Sequence, residues 1–321
     1  MISVVREREA YEAICGAESL ISVFAQPWYL DLVCGGVDGW ESIVILSKGT
    51  AIGAIAFPKY KKQGFTAVTN VKQWPYAQVW ISYPDDMKPV SRKAREVEVL
   101  EKIVSEIPSV DRFNLKFDHT FENWLPFYWK GYSQTTYYTY ILPTSELSLT
   151  NIRSHYKESV RRALKKGNKF LSVDDGNVED LISLGQKTFM RQNMAYPNDP
   201  EKVRKVVSKC IENGSGKLYQ ASDQEGRVHS CIFVLSDKLM SYYMLGGSDP
   251  ELRNSGAMNV LLDHAISKAS EKGGDFNFEG SMVPGIERFF RTFGATQVPL
   301  LKVYKNSSFV LRAINSFKSL W

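Results

Sequence analysis

The chain has 321 residues, of which 44% are hydrophobic and 23% are charged, as in an ordinary folded domain protein. This length is sufficient for two domains. The net charge of +5 is too small to predict duplex nucleic acid as a partner, and no apolar run approaches the ~18 residues of a membrane helix.

The charge is unevenly distributed. Residues 1–150 contain 15 Lys and Arg against 17 Asp and Glu, whereas the remainder contains 25 against 18, a net charge of +7. This excess favours a phosphate-bearing ligand in the second half. The four cysteines are scattered and predict neither disulfides nor a metal site, and the N-terminus lacks the layout of a secretory signal, so we expect a cytoplasmic protein without a metal.

The first half alternates between apolar runs with helical spacing and runs with strand composition. The predicted helices cover residues 4–22, 26–32, 91–107 and 124–132. The predicted strands cover residues 40–46, 51–59, 65–71, 79–83, 113–117 and 135–142. Residues 143–149 are polar and rich in turn formers, which predicts domains at 1–145 and 146–321.

The second half repeats this alternation. Its predicted helices cover residues 152–166, 178–191, 200–212, 258–269, 286–293 and 309–321. Its predicted strands cover residues 170–174, 217–222, 227–235, 239–245, 275–279 and 298–304. The first of these helices carries four basic residues that are expected to complement the helix dipole or to contact a phosphorylated acceptor: Arg161, Arg162, Lys165 and Lys166. The terminal helix is expected to pack on its domain or to touch a membrane surface.

The stretch 239–272 combines a predicted strand, a turn and a long amphipathic helix. Gly246 and Gly247 are expected to stop the strand, and Arg253 and Gly256 precede the helix. The first N–H groups of a helix lack internal partners and favour an anion, and a glycine lets a phosphate approach the backbone. Many α/β proteins contain such a helix start, so the spacing alone leaves an anion site and a plain helix start both open.

The segment Arg253-x-x-Gly256-x-Met258 resembles the Gln/Arg-x-x-Gly-x-Gly/Ala loop with which GNAT N-acyltransferases hold the coenzyme A diphosphate. Met258 departs from this pattern, because the family has glycine or alanine there. The resemblance implies a donor site for acetyl-CoA or another acyl-CoA. Its implied residues are Met244, Leu245 and Gly246 on the strand, and Arg253, Asn254, Ser255, Gly256, Ala257 and Met258 in the loop.

Nearly the whole chain resembles BioF2-like and Fem-type tandem GNAT proteins. The segments that carry this resemblance are QPWYLD (26–31), PFYWKGY (126–132), TTYYTY (135–140), HYKESVRRALKK (155–166) and FNFEGSMVPGIERFFRTFGA (276–295). The implied fold is α/β, with two tandem GNAT-like units, each a mixed, mostly antiparallel sheet flanked by helices. The corresponding loop of the first half, ISYPDDMKPVSR, lacks glycine and carries two acids, so we expect one donor site.

Three residues are candidates for the chemistry of acyl transfer. Glu279 is a candidate general base, with a cap of the following helix or pairing with a nearby arginine as the structural alternative. Tyr243 is a candidate proton donor to the leaving thiolate, although core packing is expected for either Tyr242 or Tyr243. Ser281, beside Glu279, completes the set. His229 is expected to be a hydrogen-bonded strand residue.

The expected function is transfer of an acyl group from acyl-CoA to a primary amine, of an amino sugar or a cell-wall precursor. This acceptor rests on the family resemblance alone. Two alternatives stay open: a Fem-type transferase that uses aminoacyl-tRNA, and a degenerate GNAT fold that only binds.

Overall fold

The computed structural model describes residues 2–62 and 64–308. Its helices are α1 (Arg8–Ala17), α2 (Pro27–Cys34), α3 (Pro89–Glu106), α4 (Leu125–Trp129), α5 (Leu149–Ser154), α6 (Glu158–Gly167), α7 (Val178–Met190), α8 (Pro200–Glu212), α9 (Ala257–Glu271) and α10 (Pro284–Arg291). Its strands are β1 (Ile2–Val5), β2 (Trp40–Ser47), β3 (Thr50–Pro58), β4 (Tyr60–Lys62), β5 (Phe65–Thr69), β6 (Val79–Ile81), β7 (Arg112–Lys116), β8 (Ser133–Leu142), β9 (Ser172–Asp175), β10 (Gly216–Ser222), β11 (Val228–Ser236), β12 (Met240–Ser248), β13 (Asp275–Asn277) and β14 (Thr296–Asn306).

The chain forms two compact units. The first comprises residues up to Tyr137 and resumes at Pro299, and the second is Tyr138–Val298. The turn expected at 143–149 does follow the end of β8 at Leu142. The domain boundary at residue 145 itself stays a prediction.

The first unit contains antiparallel pairs β1–β2, β2–β3 and β3–β6. It also contains the antiparallel pairs β4–β5 and β7–β14 and the parallel pair β5–β7. In the second unit β10, β11 and β12 form an antiparallel meander, and β9 pairs antiparallel with β10. Strand β13 runs parallel to β12, and β8 pairs antiparallel with β13. The predicted fold class, mixed and mostly antiparallel sheets flanked by helices, is confirmed.

Helix α9 supplies the centre of the second unit's core. Its apolar residues recur at helical spacing, and those that face the sheet are fully buried. The core cluster around it includes Leu261, Leu262, Ala265, Ile266, Ile232, Phe276, Phe278, Phe290 and Phe293. This packing fixes the position of α9 against the sheet of the second unit.

Two predicted helices differ from the observed elements. Residues 4–22 were expected to be one helix, but Ile2–Val5 form the edge strand β1, which pairs with β2 before α1 begins. Residues 152–166 were expected to be one helix, but they divide into α5 and α6, because the side chain of Tyr156 turns into the core against Phe293.

The expectation that Gly246 and Gly247 stop the strand was wrong. Both lie within β12 and pair with Ile232 and Cys231 of β11. A Cβ at residue 247 would collide with the backbone of Leu184 and Gly185 in α7. Glycine at this position therefore permits close contact between strand and helix.

The helix expected at 309–321 lies outside the described residues. Among residues 2–62 and 64–308, no helix is both long and apolar enough to cross a membrane.

Replacing Leu261 by alanine tests the importance of α9 for the second unit. Leu261 is fully buried, so we expect its loss to lower the free energy of unfolding by about 2–5 kcal/mol. Leu239→Ala is the matched control, because Leu239 is 46% exposed and its loss should cost less than about 0.5 kcal/mol. Urea unfolding measures the free energy of unfolding of both variants. Equal losses would contradict the placement of Leu261 in the core of the second unit.

Candidate active site

The parallel strands β12 and β13 pair over only three residues. The pairing ends at Tyr242 and Asn277, and the next amide, that of Phe278, donates to the Tyr140 carbonyl of β8 at 2.9 Å. From Tyr243 to Gly246, β12 is half-exposed, whereas most of its neighbour β11 is buried. The two strands therefore part and leave an accessible stretch of backbone on β12.

A bulge lies within this stretch. Phe233 pairs with Leu245 and Val234 with Tyr243, so Met244 has no counterpart on β11. A bulge turns backbone groups out of the regular ladder and is frequent beside binding sites. The three strand residues expected from the family resemblance, Met244, Leu245 and Gly246, lie in this part of β12. Their role stays a prediction.

Tyr243 spans the space between β12 and the start of α9. Its hydroxyl lies 3.9 Å from the sulfur of Met258, and its ring packs edge-on against Phe290 with centroids 6.0 Å apart. A Cβ at Gly246 would collide with the Tyr243 hydroxyl. Burial raises the pKa of Tyr243, so its proton stays on the oxygen at neutral pH. Tyr242, in contrast, is buried, and its hydroxyl donates to Asp237 at 3.1 Å.

A hydrogen-bonded turn connects β12 with α9. The Asp249 carboxylate accepts the amide of Glu251 at 2.9 Å and an ammonium proton of Lys187 at 2.7 Å. The hydrogen bond from Lys187 lowers the pKa of Asp249, so this carboxylate stays ionised as it holds the turn. The turn presents Arg253 and Asn254 to solvent.

The N-terminus of α9 retains free hydrogen-bond donors. The Ser255 hydroxyl accepts the amide of Ala257 at 3.3 Å. In the described part of the chain, the amides of Met258 and Asn259 have no acceptor, and Arg253 forms no ion pair. Two amides, the helix dipole and a nearby guanidinium together favour an anion at this end of α9.

Gly256 is required by the fold itself. It caps α9 in the left-handed conformation, with φ of +87°. A Cβ there would lie 2.6 Å from the Ala163 carbonyl oxygen of α6. A glycine at this position therefore permits α6 to pack directly against the loop, and the motif's glycine alone does not demonstrate a ligand site.

Glu279 occupies a strained turn where β13 ends. Glu279 and Gly280 both have positive φ, +62° and +60°. The buried Asn277 side chain accepts the Glu279 amide at 2.8 Å and the Thr139 hydroxyl at 2.5 Å. A left-handed glutamate costs of order 1 kcal/mol and persists where its surroundings impose it. Asn277, a polar residue between Phe276 and Phe278, positions this turn and was missed at the level of sequence.

The structural alternatives for Glu279 are partly excluded. The N-cap residue of α10 is Val283, without a side-chain cap, and the Ser281 hydroxyl accepts the Val283 amide at 3.0 Å. Arg291 bonds to Glu287 at 2.9 Å. Glu279 therefore does not cap α10, and Ser281 shapes the turn before this helix. The catalytic roles of Glu279, Tyr243 and Ser281 stay predictions.

His229 is a buried residue, hydrogen-bonded as expected. Its Nε2 lies 2.9 Å from the Asp223 carboxylate, which also accepts from Arg227. The hydrogen bond with His229 holds the pKa of Asp223 well below its usual range. Among the described residues, no group of three or more His, Cys, Asp or Glu side chains is arranged to hold a metal ion.

The corresponding loop of the first unit lacks these features. Helix α3 begins at Pro89, which has no N–H, and its N-cap residue Lys88 makes no side-chain cap. Arg95 donates to the Ser82 carbonyl at 2.9 Å, so a side chain of the unit occupies this loop.

The comparisons with known proteins agree with this geometry. The family model described as "Acetyltransferase (GNAT) domain" matches residues 151–291, which include β12, the loop, α9 and β13. A search of curated proteins found no significant match. Residues 151–291 therefore match the GNAT acetyltransferase domain family, and this match supports an acyltransferase.

Solved structures with similar folds cover nearly the whole chain. FemX matches with a TM-score of 0.67 at 13% identity, over 93% of this chain and 96% of its own. L-PGS from Bacillus licheniformis matches with a TM-score of 0.56 at 12% identity, over 96% of this chain and 95% of its own. A tandem GNAT protein from the clavulanic acid biosynthesis pathway gives 0.51 at 9% identity, over 96% and 99%. At these identities the likeness concerns the fold alone, which this chain shares with FemX, L-PGS and the tandem GNAT protein.

Gly256→Ala tests the contact between α6 and the loop. We expect a larger loss of stability than for Gly273→Ala, because Gly273 has a similar φ of +73° with no atom near a Cβ position. The control measures left-handed strain alone, about 1 kcal/mol. The difference between the two variants in urea unfolding reports the collision with Ala163. Equal losses would show that the collision is relieved without cost.

Proposed function

We propose that this chain transfers an acyl group from acyl-CoA to a primary amine. The observation that carries the proposal is the juxtaposition of two features. The accessible backbone of β12 from Tyr243 to Gly246 leads directly to the α9 terminus, where two amides have no acceptor among the described residues. An extended pantetheine arm followed by a diphosphate needs this order of backbone and anion site.

In the proposed reaction, the amine nitrogen attacks the thioester carbonyl carbon. The carbonyl oxygen, which gains negative charge, accepts a hydrogen bond from the β12 backbone near Met244. Glu279 takes a proton from the amine, directly or through a water. The carbon–sulfur bond then breaks, and the sulfur leaves as a thiolate.

Tyr243 is the proposed donor of a proton to this thiolate. Its hydroxyl lies beside Gly246, along the proposed path of the pantetheine arm. The ring of Tyr243 and the side chain of Met258 also narrow this path. We infer that donor binding displaces the Tyr243 ring from Gly246.

The proposed acceptor is the amine of an amino sugar or a cell-envelope precursor. This part of the proposal rests on likeness to tandem GNAT proteins and names a class of acceptor only.

Binding of coenzyme A to the wild-type chain and to Arg253→Ala tests the donor site. Loss of one charge-assisted contact to a phosphate should weaken binding about tenfold or more. Arg112→Ala, a change of an exposed arginine in the first unit, is the matched control and should bind like the wild type. Isothermal titration that detects no binding to the wild type would refute the proposal.

Glu279→Gln tests the proposed general base. Since glutamine keeps the size of the side chain but cannot take a proton, we expect kcat to fall about 10²–10⁴-fold while coenzyme A affinity stays unchanged. Glu225→Gln, in the exposed β10–β11 turn, is the control. Initial rates of thiol release with an amine acceptor measure the effect, and an unchanged kcat would remove Glu279 from the mechanism.

Transfer from aminoacyl-tRNA is the second candidate. The observation that favours it is the dense positive charge of α6 beside the loop, which also suits an RNA backbone. Dependence of activity on charged tRNA, with acyl-CoA inactive, would select this candidate.

A further inference from the structure

Helix α6 carries more positive charge than its own structure explains. Residues 157–169 contain six Lys or Arg residues and one acid, Glu158. The pairs Arg161–Lys165 and Arg162–Lys166 are like-charged neighbours one turn apart, and each such pair destabilises an isolated helix. One or two cations in the last turn suffice to complement the helix dipole. The remaining charge is available to an anionic ligand.

Direct contacts place the end of α6 beside the loop that precedes α9. The Lys166 ammonium donates to the Asn254 carbonyl at 2.7 Å. A Cβ at Gly167 would approach the side chain of Val260 to 2.7 Å and the Ser255 carbonyl oxygen to 3.4 Å. Residues Arg162, Lys165, Lys166 and Lys169 are exposed.

Lys166 keeps hydrogen-bonding capacity for a ligand. An ammonium group has three donors, and the bond to Asn254 uses one of them. Lys166 forms no ion pair with a described residue, whereas Arg162 lies 3.8 Å from Glu158 in a pair that is exposed on both sides. Lys166 is thus the cation of α6 that a direct bond holds beside the loop before α9.

We propose that Lys166, supported by the neighbouring cations of α6, binds the ribose 3′-phosphate of the coenzyme A donor. This inference rests on the proposed function. In coenzyme A one ribose separates the 3′-phosphate from the 5′-diphosphate. A group that holds the 3′-phosphate must therefore lie beside the loop that holds the diphosphate, and Lys166 meets this requirement.

The test compares coenzyme A with 3′-dephospho-coenzyme A by isothermal titration. The wild type should bind coenzyme A about tenfold more tightly, as expected for one charge-assisted contact. Lys166→Met should bind the two ligands with about equal affinity, and Lys166→Arg should keep the preference for coenzyme A. Lys238→Met, an exposed lysine at the opposite end of β12, should behave like the wild type.

The ratio of the affinities for coenzyme A and 3′-dephospho-coenzyme A is decisive, because loss of the bond to Asn254 can weaken the binding of both ligands equally. Equal affinity of the wild type for both ligands overturns the inference and leaves the proposed function intact. Binding of neither ligand overturns both. Binding of a hairpin RNA with a single-stranded CCA end is measured with the same variants. If Lys166→Met weakens RNA binding but keeps the preference for coenzyme A over 3′-dephospho-coenzyme A, the cations of α6 bind RNA, and the inference is overturned.

Discussion

The parting of β12 and β13 is the constraint on which the rest of the second unit depends. Two parallel strands that stayed paired would saturate each other's backbone groups and leave nothing for a ligand. Here the pairing of β12 with β13 ends after three residue pairs, while β13 stays paired with β8 on its other edge, and a bulge at Met244 interrupts the ladder between β12 and β11. The accessible backbone follows from these two events, and the site residues are arranged around it.

Close contacts between backbones hold this opening in place. Gly247 lets α7 pack on β12, Gly256 lets α6 pack on the α9 terminus, and Gly280 lets the turn after β13 pack on β8. Each contact excludes a side chain, so the glycines determine which elements can touch. The positive φ of Glu279 fits the same arrangement, because the buried Asn277 side chain holds the amide of that residue.

The cations of α6 connect the architecture with the proposed chemistry. Helix α6 packs against the α9 terminus through backbone contacts at Ala163 and Gly167, and this packing brings Lys166 to the loop. A single helix therefore supports the proposed donor loop sterically and places a lysine against it. The uneven charge of the two halves of the sequence has its structural counterpart in this helix.

Local patterns in the sequence were sufficient to predict most elements and the loop. The apolar spacing of α9 predicted its buried face, and the order of strand, loop and helix predicted the position of Gly256, because both depend on neighbouring residues. A break such as that between α5 and α6 could not be predicted, since the Tyr156 side chain is drawn into a core built from distant residues.

The role of each glycine was decided by tertiary structure alone. Gly246 and Gly247 suggested a strand end from composition, yet both continue β12, because they pair with Ile232 and Cys231 of β11. A Cβ would meet the Tyr243 ring at Gly246 and the α7 backbone at Gly247. The conformation of Glu279 likewise depends on Asn277 and Thr139, the latter 140 residues earlier in the chain. Sequence alone thus determined the periodic elements and the type of loop. Only the fold determined where backbones touch, because such contacts join residues that no local pattern relates.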